Sequence, residues 1–298
     1  MEFKESHKVS SDISDIRLND YILKYVNFSL VNSRKAVQKV IKKGLVTVDG
    51  RVADTAHWVK PGEIIEINNE NVNFHDVFEL KFDVIYEDDF IAVIDKPAGY
   101  NVNGNRYKTI ENALPFNLKI SKANDRLENP VPVHRLDNPT RGILLIAKSS
   151  IARINISRQF ENRDVKKRYH AVVVGKPDQQ GTFNDEIDGR DAITNYKLIK
   201  SVKSLKWDKL SLLELNPVTG RKHQIRIHLS KGGYPILGDR TYPSENLLRG
   251  KGLFLCATKI SFFHPVSNEQ MEFSMDYPNK FSKIVETENK NYLKYGIK

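Results

Sequence analysis

The residues best equipped for chemistry lie in one stretch, Val133-His134-Arg135-Leu136-Asp137-Asn138-Pro139-Thr140-Arg141-Gly142, which runs straight into Ile143-Leu144-Leu145-Ile146-Ala147. It sets a carboxylate two residues from a fixed cation, just ahead of the turn signals Asn138-Pro139 and Gly142. The five apolar residues that follow read as a strand buried on both faces. Asp137 is therefore expected at the edge of a rigid sheet, where a substrate can reach it. An arbitrary Arg-x-Asp is more often a salt-bridged loop and nothing more.

Two further segments are dense in functional groups. Lys167-Arg168-Tyr169-His170-Ala171 leads into Val172-Val173-Val174 as the charged entry to a strand, where an isolated tyrosine would ordinarily be a packing residue. Thr219-Gly220-Arg221-Lys222-His223-Gln224-Ile225-Arg226-Ile227-His228-Leu229 carries cations and imidazoles without a single acid, so its charges repel unless they face phosphate or carboxylate. Ile225, Ile227 and Leu229 alternate like a strand, while Ile225 and Leu229 also share a helical face; Gly232-Gly233 as a stop favours a short helix. Gly238-Asp239 reads as a turn rather than as a second reactive carboxylate. No Cys/His cluster has zinc spacing, and there is no phosphate loop or dinucleotide fingerprint. The single cysteine, Cys256, reads as a small buried hydrophobe. No metal and no cofactor are expected, and the chemistry must run on side chains alone.

These groups need a scaffold, and 298 residues are enough for two domains. Residues 1–15 are polar and aperiodic and are expected to form a flexible tail. Arg17-Leu18-Asn19-Asp20-Tyr21-Ile22-Leu23 begins a short helix. Ser33 is a suitable N-cap for a second, in which Val37, Val40 and Ile41 fall on one face and Gly44 supplies the stop. Leu45-Val46-Thr47-Val48 then enters an Asp49-Gly50 hairpin turn. On the second helix Lys35, Lys39, Lys42 and Lys43 share the face opposite the apolar one, with almost no acids among them. Residues 69–78 read as a linker. Beyond it, Phe82–Tyr86 and Phe90–Asp95 are strands, and Lys96-Pro97-Ala98-Gly99 turns the chain. Strands and helices then mix without a regular βαβ rhythm, which favours an α+β domain over residues 79–285, followed by a tail over 286–298.

The formal net charge of +10 favours a polyanionic partner, nucleic acid first. No apolar run approaches the length of a membrane span, the N-terminus is too polar for a secretory signal, and one cysteine excludes an internal disulfide. A cytoplasmic, monomeric protein with RNA and no membrane as partner is the expectation.

The segment around Asp137 resembles the catalytic motif of the RluA-type RNA pseudouridine synthases, which runs His-Arg-Leu-Asp, two residues, Thr, usually Ser, then Gly. Arg141 stands where that family has Ser. Residues 16–68 resemble the S4 RNA-binding domain in Arg17-Leu18-Asn19, Ser33-Arg34-Lys35-Ala36, Ile41-Lys42-Lys43-Gly44, Val46-Thr47-Val48-Asp49-Gly50 and Val59-Lys60-Pro61-Gly62-Glu63. Lys96-Pro97-Ala98-Gly99, Lys167-Arg168-Tyr169-His170-Ala171, Ala192–Tyr196, the Thr219–Leu229 segment with Pro235–Asp239 and Tyr242, and Leu253–Ala257 with Phe262–Pro265 resemble further motifs of the same family. Cys256 stands where the last of these usually has His. The resemblance implies a mixed, largely antiparallel sheet for the catalytic domain and a small S4-like α/β domain before it. It implies Asp137 as the catalytic carboxylate that isomerises a flipped-out uridine, Tyr169 stacked on the base and a candidate proton acceptor in the reaction, and Arg226 paired with Asp137. Arg135 would fill the gap left by the base or grip the backbone, and Arg34, Lys35, Lys39, Lys42, Lys43, Arg221, Lys222 and His223 would bind RNA. Large-subunit ribosomal RNA is favoured as substrate, with transfer RNA or a catalytically silent ribosome-assembly factor as alternatives. A glycoside hydrolase would need two carboxyl groups flanking one bond, and only Asp137 is a credible candidate.

Overall fold

The computed structural model describes residues 4–13, 15–26, 34–68, 77–243 and 248–296, and the chain divides into two compact units, 1–75 and 76–298. Ser33, proposed as a helix cap, and most of the expected linker lie outside the described residues, as does the side chain of Lys35.

In the first unit the helices Leu18–Tyr25 and Arg34–Lys42 bury Leu18, Tyr21, Ile22, Val37, Val40 and Ile41 against a four-stranded sheet. The sheet runs in the order Lys4–Lys8, Ile64–Asn68, Val46–Val48, Arg51–Val52, all antiparallel. Asp49 and Gly50 both take positive φ, 50° and 76°, as a tight two-residue hairpin requires. Lys4–Lys8 corrects the tail expected over residues 1–15. Its polar residues hide a strand because an edge strand is held by backbone bonds to Ile64–Asn68 and needs no apolar alternation. His7 adds a contact from its Nε2 to the Tyr21 hydroxyl at 3.0 Å.

The second unit is built on a ten-stranded mixed sheet. Its main path is Gln180–Phe183, Thr194–Ser204, Asp208–Pro217, Lys166–Val174, Leu255–Phe263, Arg141–Ser149, Ile91–Lys96, Val84–Glu87. Arg126–Pro132 pairs with Arg141–Ser149, and Gln270–Ser274 with Leu255–Phe263. Every pairing is antiparallel except that between Arg141–Ser149 and Leu255–Phe263. The apolar run after Gly142 is explained by this position. Leu144 and Ile146 enter one core, while Ile143, Leu145 and Ala147 enter a second on the other face. With both faces covered, alternation disappears from the sequence.

Four helices accompany the sheet among the described residues: Ile110–Asn117, Ser150–Glu161, Gln224–Lys231 and Lys280–Tyr295. The last corrects the tail expected over 286–298. Phe281 and Val285 are buried, and Glu288 accepts a 2.6 Å hydrogen bond from Ser204, so this Lys- and Asn-rich segment is an amphipathic helix docked on the sheet. No helix among the described residues is long and apolar enough to cross a membrane.

Candidate active site

Asp137 opens a turn in which its carbonyl accepts from the Thr140 amide at 3.0 Å, between the strands Arg126–Pro132 and Arg141–Ser149. The turn is held from beneath by Lys96, a fully buried lysine. Its ammonium donates to the carbonyls of Pro97 and Thr140 at 2.9 Å and of Asn138 at 3.3 Å. Burial pushes the Lys96 pKa down to about 8, although the charges of Asp137 and Asp95 partly offset it. Asn138 completes the anchorage, donating to the Gly99 carbonyl at 3.1 Å while its own carbonyl accepts the Gly99 amide at 2.8 Å.

His134 acts from the other side of the turn. Its Nε2 accepts the Leu145 amide at 3.0 Å, which requires a neutral ring with the proton on Nδ1. Burial, then the nearby Lys167 ammonium, lowers its pKa to about 3, and the backbone contact only partly opposes this. His134 is therefore a fixed acceptor that ties the motif to its strand.

Asp137 faces a cleft of about 400 Å³ whose walls include Arg135, Phe160, Lys167, Tyr169, Arg221, Lys222, His223 and Arg226. This is an ordinary volume for a small-ligand site. Arg226, expected to pair with Asp137, does face it, with Nη1 3.2 Å from Oδ2. Its other nitrogens belong to Asp239, at 2.7 Å through Nε and 2.8 Å through Nη2. Asp239 also accepts the amides of Thr241 and Tyr242 at 2.9 and 3.1 Å. The turn expected at Gly238-Asp239 is present, and the sequence concealed that its carboxylate orients Arg226. Burial alone would raise the Asp239 pKa, but the Arg226 hydrogen bonds and the two amides outweigh it and hold the carboxylate below its usual range. Burial likewise opposes the Arg226 charge, and Asp239 and then Asp137 overcome it. Asp239 is 1% exposed with both oxygens engaged, so it cannot serve as a second reactive carboxylate across the cleft.

Arg226 owes its position to the helix Gln224–Lys231, which settles the ambiguous period in favour of a helix. Gln224 pins its start, since Oε1 accepts from the Thr219 hydroxyl at 2.7 Å and from the Arg221 amide at 2.9 Å. His223 precedes it in the left-handed region, φ 54° and ψ 18°, where few non-glycine residues sit. Its Nε2 lies 3.8 Å from Asp137 Oδ1 and its Nδ1 3.2 Å from the Tyr242 hydroxyl.

Tyr169 stands on the strand Lys166–Val174, 9% exposed, and borders the cleft alongside Lys167. The strand's pairing with Leu255–Phe263 slips by one residue between Arg168 and Tyr169, a bulge of the kind that re-aims side chains at sites. Burial first, then the charge of Asp137, raises the tyrosine pKa above its ordinary value. Arg135 is exposed at the cleft, and among the described residues no carboxylate pairs with it. Lys167, which the expected site residues did not include, also lines the cleft, its ammonium 5.8 Å from the Phe160 ring centre.

Arg141 does not line the cleft. It turns to Asp95 on the neighbouring strand, with Nη2 2.6 Å and Nε 2.9 Å from Oδ2. Cys256 is fully buried, and burial, then Asp95, pushes its thiol up to about 12, as befits a packing residue. In the first unit Gln38, Lys39, Lys42 and Lys43 line one shallow hollow of about 290 Å³, and Arg34 is ion-paired with Asp20.

Comparison with known proteins identifies the family. The family model for RNA pseudouridylate synthase matches residues 90–231, and the S4 domain model matches residues 17–65. An uncharacterized RNA pseudouridine synthase of Aquifex aeolicus is 32% identical over 95% of this chain and 97% of its own length. A ribosomal large subunit pseudouridine synthase D of Xanthomonas campestris pv. campestris is 33% identical over 85% of this chain and 84% of its own. The solved structure of human RNA pseudouridylate synthase domain containing 4 superposes with a TM-score of 0.54 at 25% identity, over 67% of this chain and 90% of that one. The chain therefore belongs to the RNA pseudouridine synthases, isomerases that act on RNA, and carries an S4 domain ahead of its catalytic unit.

Proposed function

We propose that the chain isomerises uridine to pseudouridine in large-subunit ribosomal RNA, with Asp137 as the catalytic carboxylate acting on a nucleotide swung out of the RNA into the cleft. The observation that carries this reading is the pairing of Asp137 with Arg226, itself clamped by Asp239, at the wall of a cleft of about 400 Å³. Breaking C1′–N1 and joining C1′ to C5 needs no redox change and no outside group. A positioned carboxylate suits it as nucleophile or as base and charge stabiliser. Arg226 holds one oxygen, so the other stays directed at the substrate.

Tyr169 supplies an aromatic wall for the extruded base, an interaction worth about 1–3 kcal/mol. Arg135, exposed at the cleft and with no carboxylate partner among the described residues, would occupy the gap the base leaves or hold the backbone. Extrusion costs a few kcal/mol from a paired region and less from a loop. Arg221 and Lys222 at the cleft, with Arg34, Lys35, Lys39, Lys42 and Lys43 of the S4 unit, would offset that through phosphate contacts. Ribosomal RNA is favoured because similar proteins, among them one from Rickettsia prowazekii, are named ribosomal large subunit pseudouridine synthases.

Site-resolved pseudouridine mapping of total RNA tests both parts. Cells lacking the protein should lose pseudouridine at specific large-subunit positions, and Asp137→Asn should not restore them while binding the RNA nearly as well as wild type. An active Asp137→Ala enzyme would overturn the catalytic assignment. Losses confined to transfer RNA would overturn the substrate.

A further inference from the structure

Cations drawn into the catalytic unit are mostly provided for. Lys96 donates to three carbonyls, Lys148 to Glu87 and the Asp88 carbonyl, Arg226 to two carboxylates, and Lys280 to the carbonyls of Lys251 and Leu253. Lys167 is different. It is half-buried in the wall of the cleft, and among the described residues no carboxylate or other hydrogen-bond acceptor reaches its ammonium. The Phe160 ring, 5.8 Å away, lies at the outer limit of cation–π attraction and brings no counter-charge. A charge drawn from water without a partner is costly, and such a group at a cleft marks a place where a ligand supplies what is missing.

We propose that Lys167 grips a backbone phosphate of the RNA at the extruded uridine, fixing the nucleotide whose base lies against Tyr169. Three observations point to it. Lys167 and Tyr169 share one strand and line one cleft, two residues or about 7 Å apart, so an anion on Lys167 belongs to the backbone next to the base on Tyr169. Asp137 bears on the titration of Tyr169, His223 and Arg226, whereas burial alone bears on that of Lys167 and draws its pKa down. The ammonium thus stands apart from the reacting carboxylate and is left to bind. Finally, the opening over it is kept by a glycine with no other duty. Gly220 lies outside the left-handed region, and among the described residues a Cβ there would meet only the Lys167 ammonium, at 3.7 Å. Neither backbone conformation nor packing demands glycine at that position, but a larger side chain would cover the ammonium.

A nucleotide offers an ammonium two kinds of acceptor, a phosphate oxygen and a uracil carbonyl. Arg221 and Lys222 line the same cleft as Lys167, where the only acid among the described lining residues is Asp137, already engaged by Arg226. The cations of this wall stay unbalanced until a full negative charge arrives, which a carbonyl does not bring. A phosphate beside Lys167 would also offset the burial that weakens its hold on its proton. The contact makes and breaks no bond, and its effect is on binding.

This assignment rests on the Asp137 reading for the identity of the bound nucleotide, and its test reads binding rather than chemistry. Total RNA from cells lacking the protein is treated with excess enzyme at a series of KCl concentrations. Pseudouridine formation followed site by site gives the half-saturating enzyme concentration and the rate at saturation. In Lys167→Met, which keeps an unbranched stem and loses the charge, the half-saturating concentration should rise about 10-fold, the scale of one charge-assisted hydrogen bond. On a double-logarithmic plot against salt its slope should become shallower by about one unit, as when a single phosphate contact is lost. Lys167→Arg should keep the wild-type slope, and Gly220→Val should shift both quantities in the direction of Lys167→Met. The melting temperature of Lys167→Met should not fall, because the change removes an unpartnered charge, and this separates weaker binding from misfolding. An unchanged salt slope in Lys167→Met overturns the proposal. Together with a lower rate at saturation it would put the ammonium on a uracil carbonyl, and with both quantities unchanged it would leave the lysine outside the RNA contact. Failure of the Asp137 reading would appear elsewhere, as an Asp137→Asn enzyme that still forms pseudouridine.

Discussion

Asp239 takes two of the three guanidinium nitrogens of Arg226, and only Nη1 is left to face Asp137. The orientation of the candidate catalytic pair therefore depends on a residue that does not reach the cleft. Asp239→Asn should lower pseudouridine formation roughly 10²-fold, the scale of a small misplacement at a reacting centre. It should leave RNA affinity nearly unchanged. Because it strands a buried charge, denaturant unfolding should show a loss of about 3–5 kcal/mol.

Lys96 makes stability depend on pH in an unusual direction. Its pKa is about 8 in the folded protein against an ordinary 10.5, so between these values the unfolded chain holds the extra proton. Stability attributable to Lys96 is then lowest below about pH 8 and rises as pH climbs towards 10.5. At about 1.4 kcal/mol per pH unit the change is on the order of 3 kcal/mol. Chemical denaturation of wild type and Lys96→Met across this range should give a difference that grows with pH in favour of wild type. A flat difference would show that the ammonium is not desolvated.

Arg141 is expected to be structural. Arg141→Ser, which restores the residue usual in the family, should leave activity within about twofold of wild type, inside the ±0.5 kcal/mol typical of a change remote from the site. It should cost about 1–3 kcal/mol in stability by depriving the nearly buried Asp95 of its partner. Adding Asp95→Asn should recover part of that loss in a thermal melt.

Gly142 is required by both conformation and space. Its φ is 134°, and a Cβ there would lie 2.1 Å from the Ala257 carbonyl oxygen. Gly142→Ala should lose upwards of about 3 kcal/mol or fail to accumulate as soluble protein. Gly104 has a comparable φ of 131° but open space around it, so Gly104→Ala isolates the backbone contribution at about 1–2 kcal/mol.

The elements with strong local signals were legible in the sequence. Asp49-Gly50 announced its hairpin, the apolar run after Gly142 its doubly buried strand, and Gly232-Gly233 the end of the helix carrying Arg226. Residues whose meaning depends on distant partners were not. Lys96 looks like an ordinary turn lysine, because two of its three acceptors lie beyond Asp137. The direction of Arg141 follows from the strand register that sets Ile143 opposite Asp95. His223 carries no sequence signal of a left-handed backbone, and the strand Lys4–Lys8 and the helix Lys280–Tyr295 lay hidden in polar composition.

The lone parallel pairing, Arg141–Ser149 beside Leu255–Phe263, bears on how the enzyme comes into being. Parallel neighbours cannot be joined by a hairpin, and here nearly half of the catalytic unit lies between them. Loop closure across that span is slow, and until it happens the Asp137 strand and the Tyr169 strand share no common neighbour in the sheet. Competence is therefore acquired late and all at once. A nascent or truncated chain that stops short of Leu255 would expose two sheet edges to aggregation rather than work as a smaller enzyme.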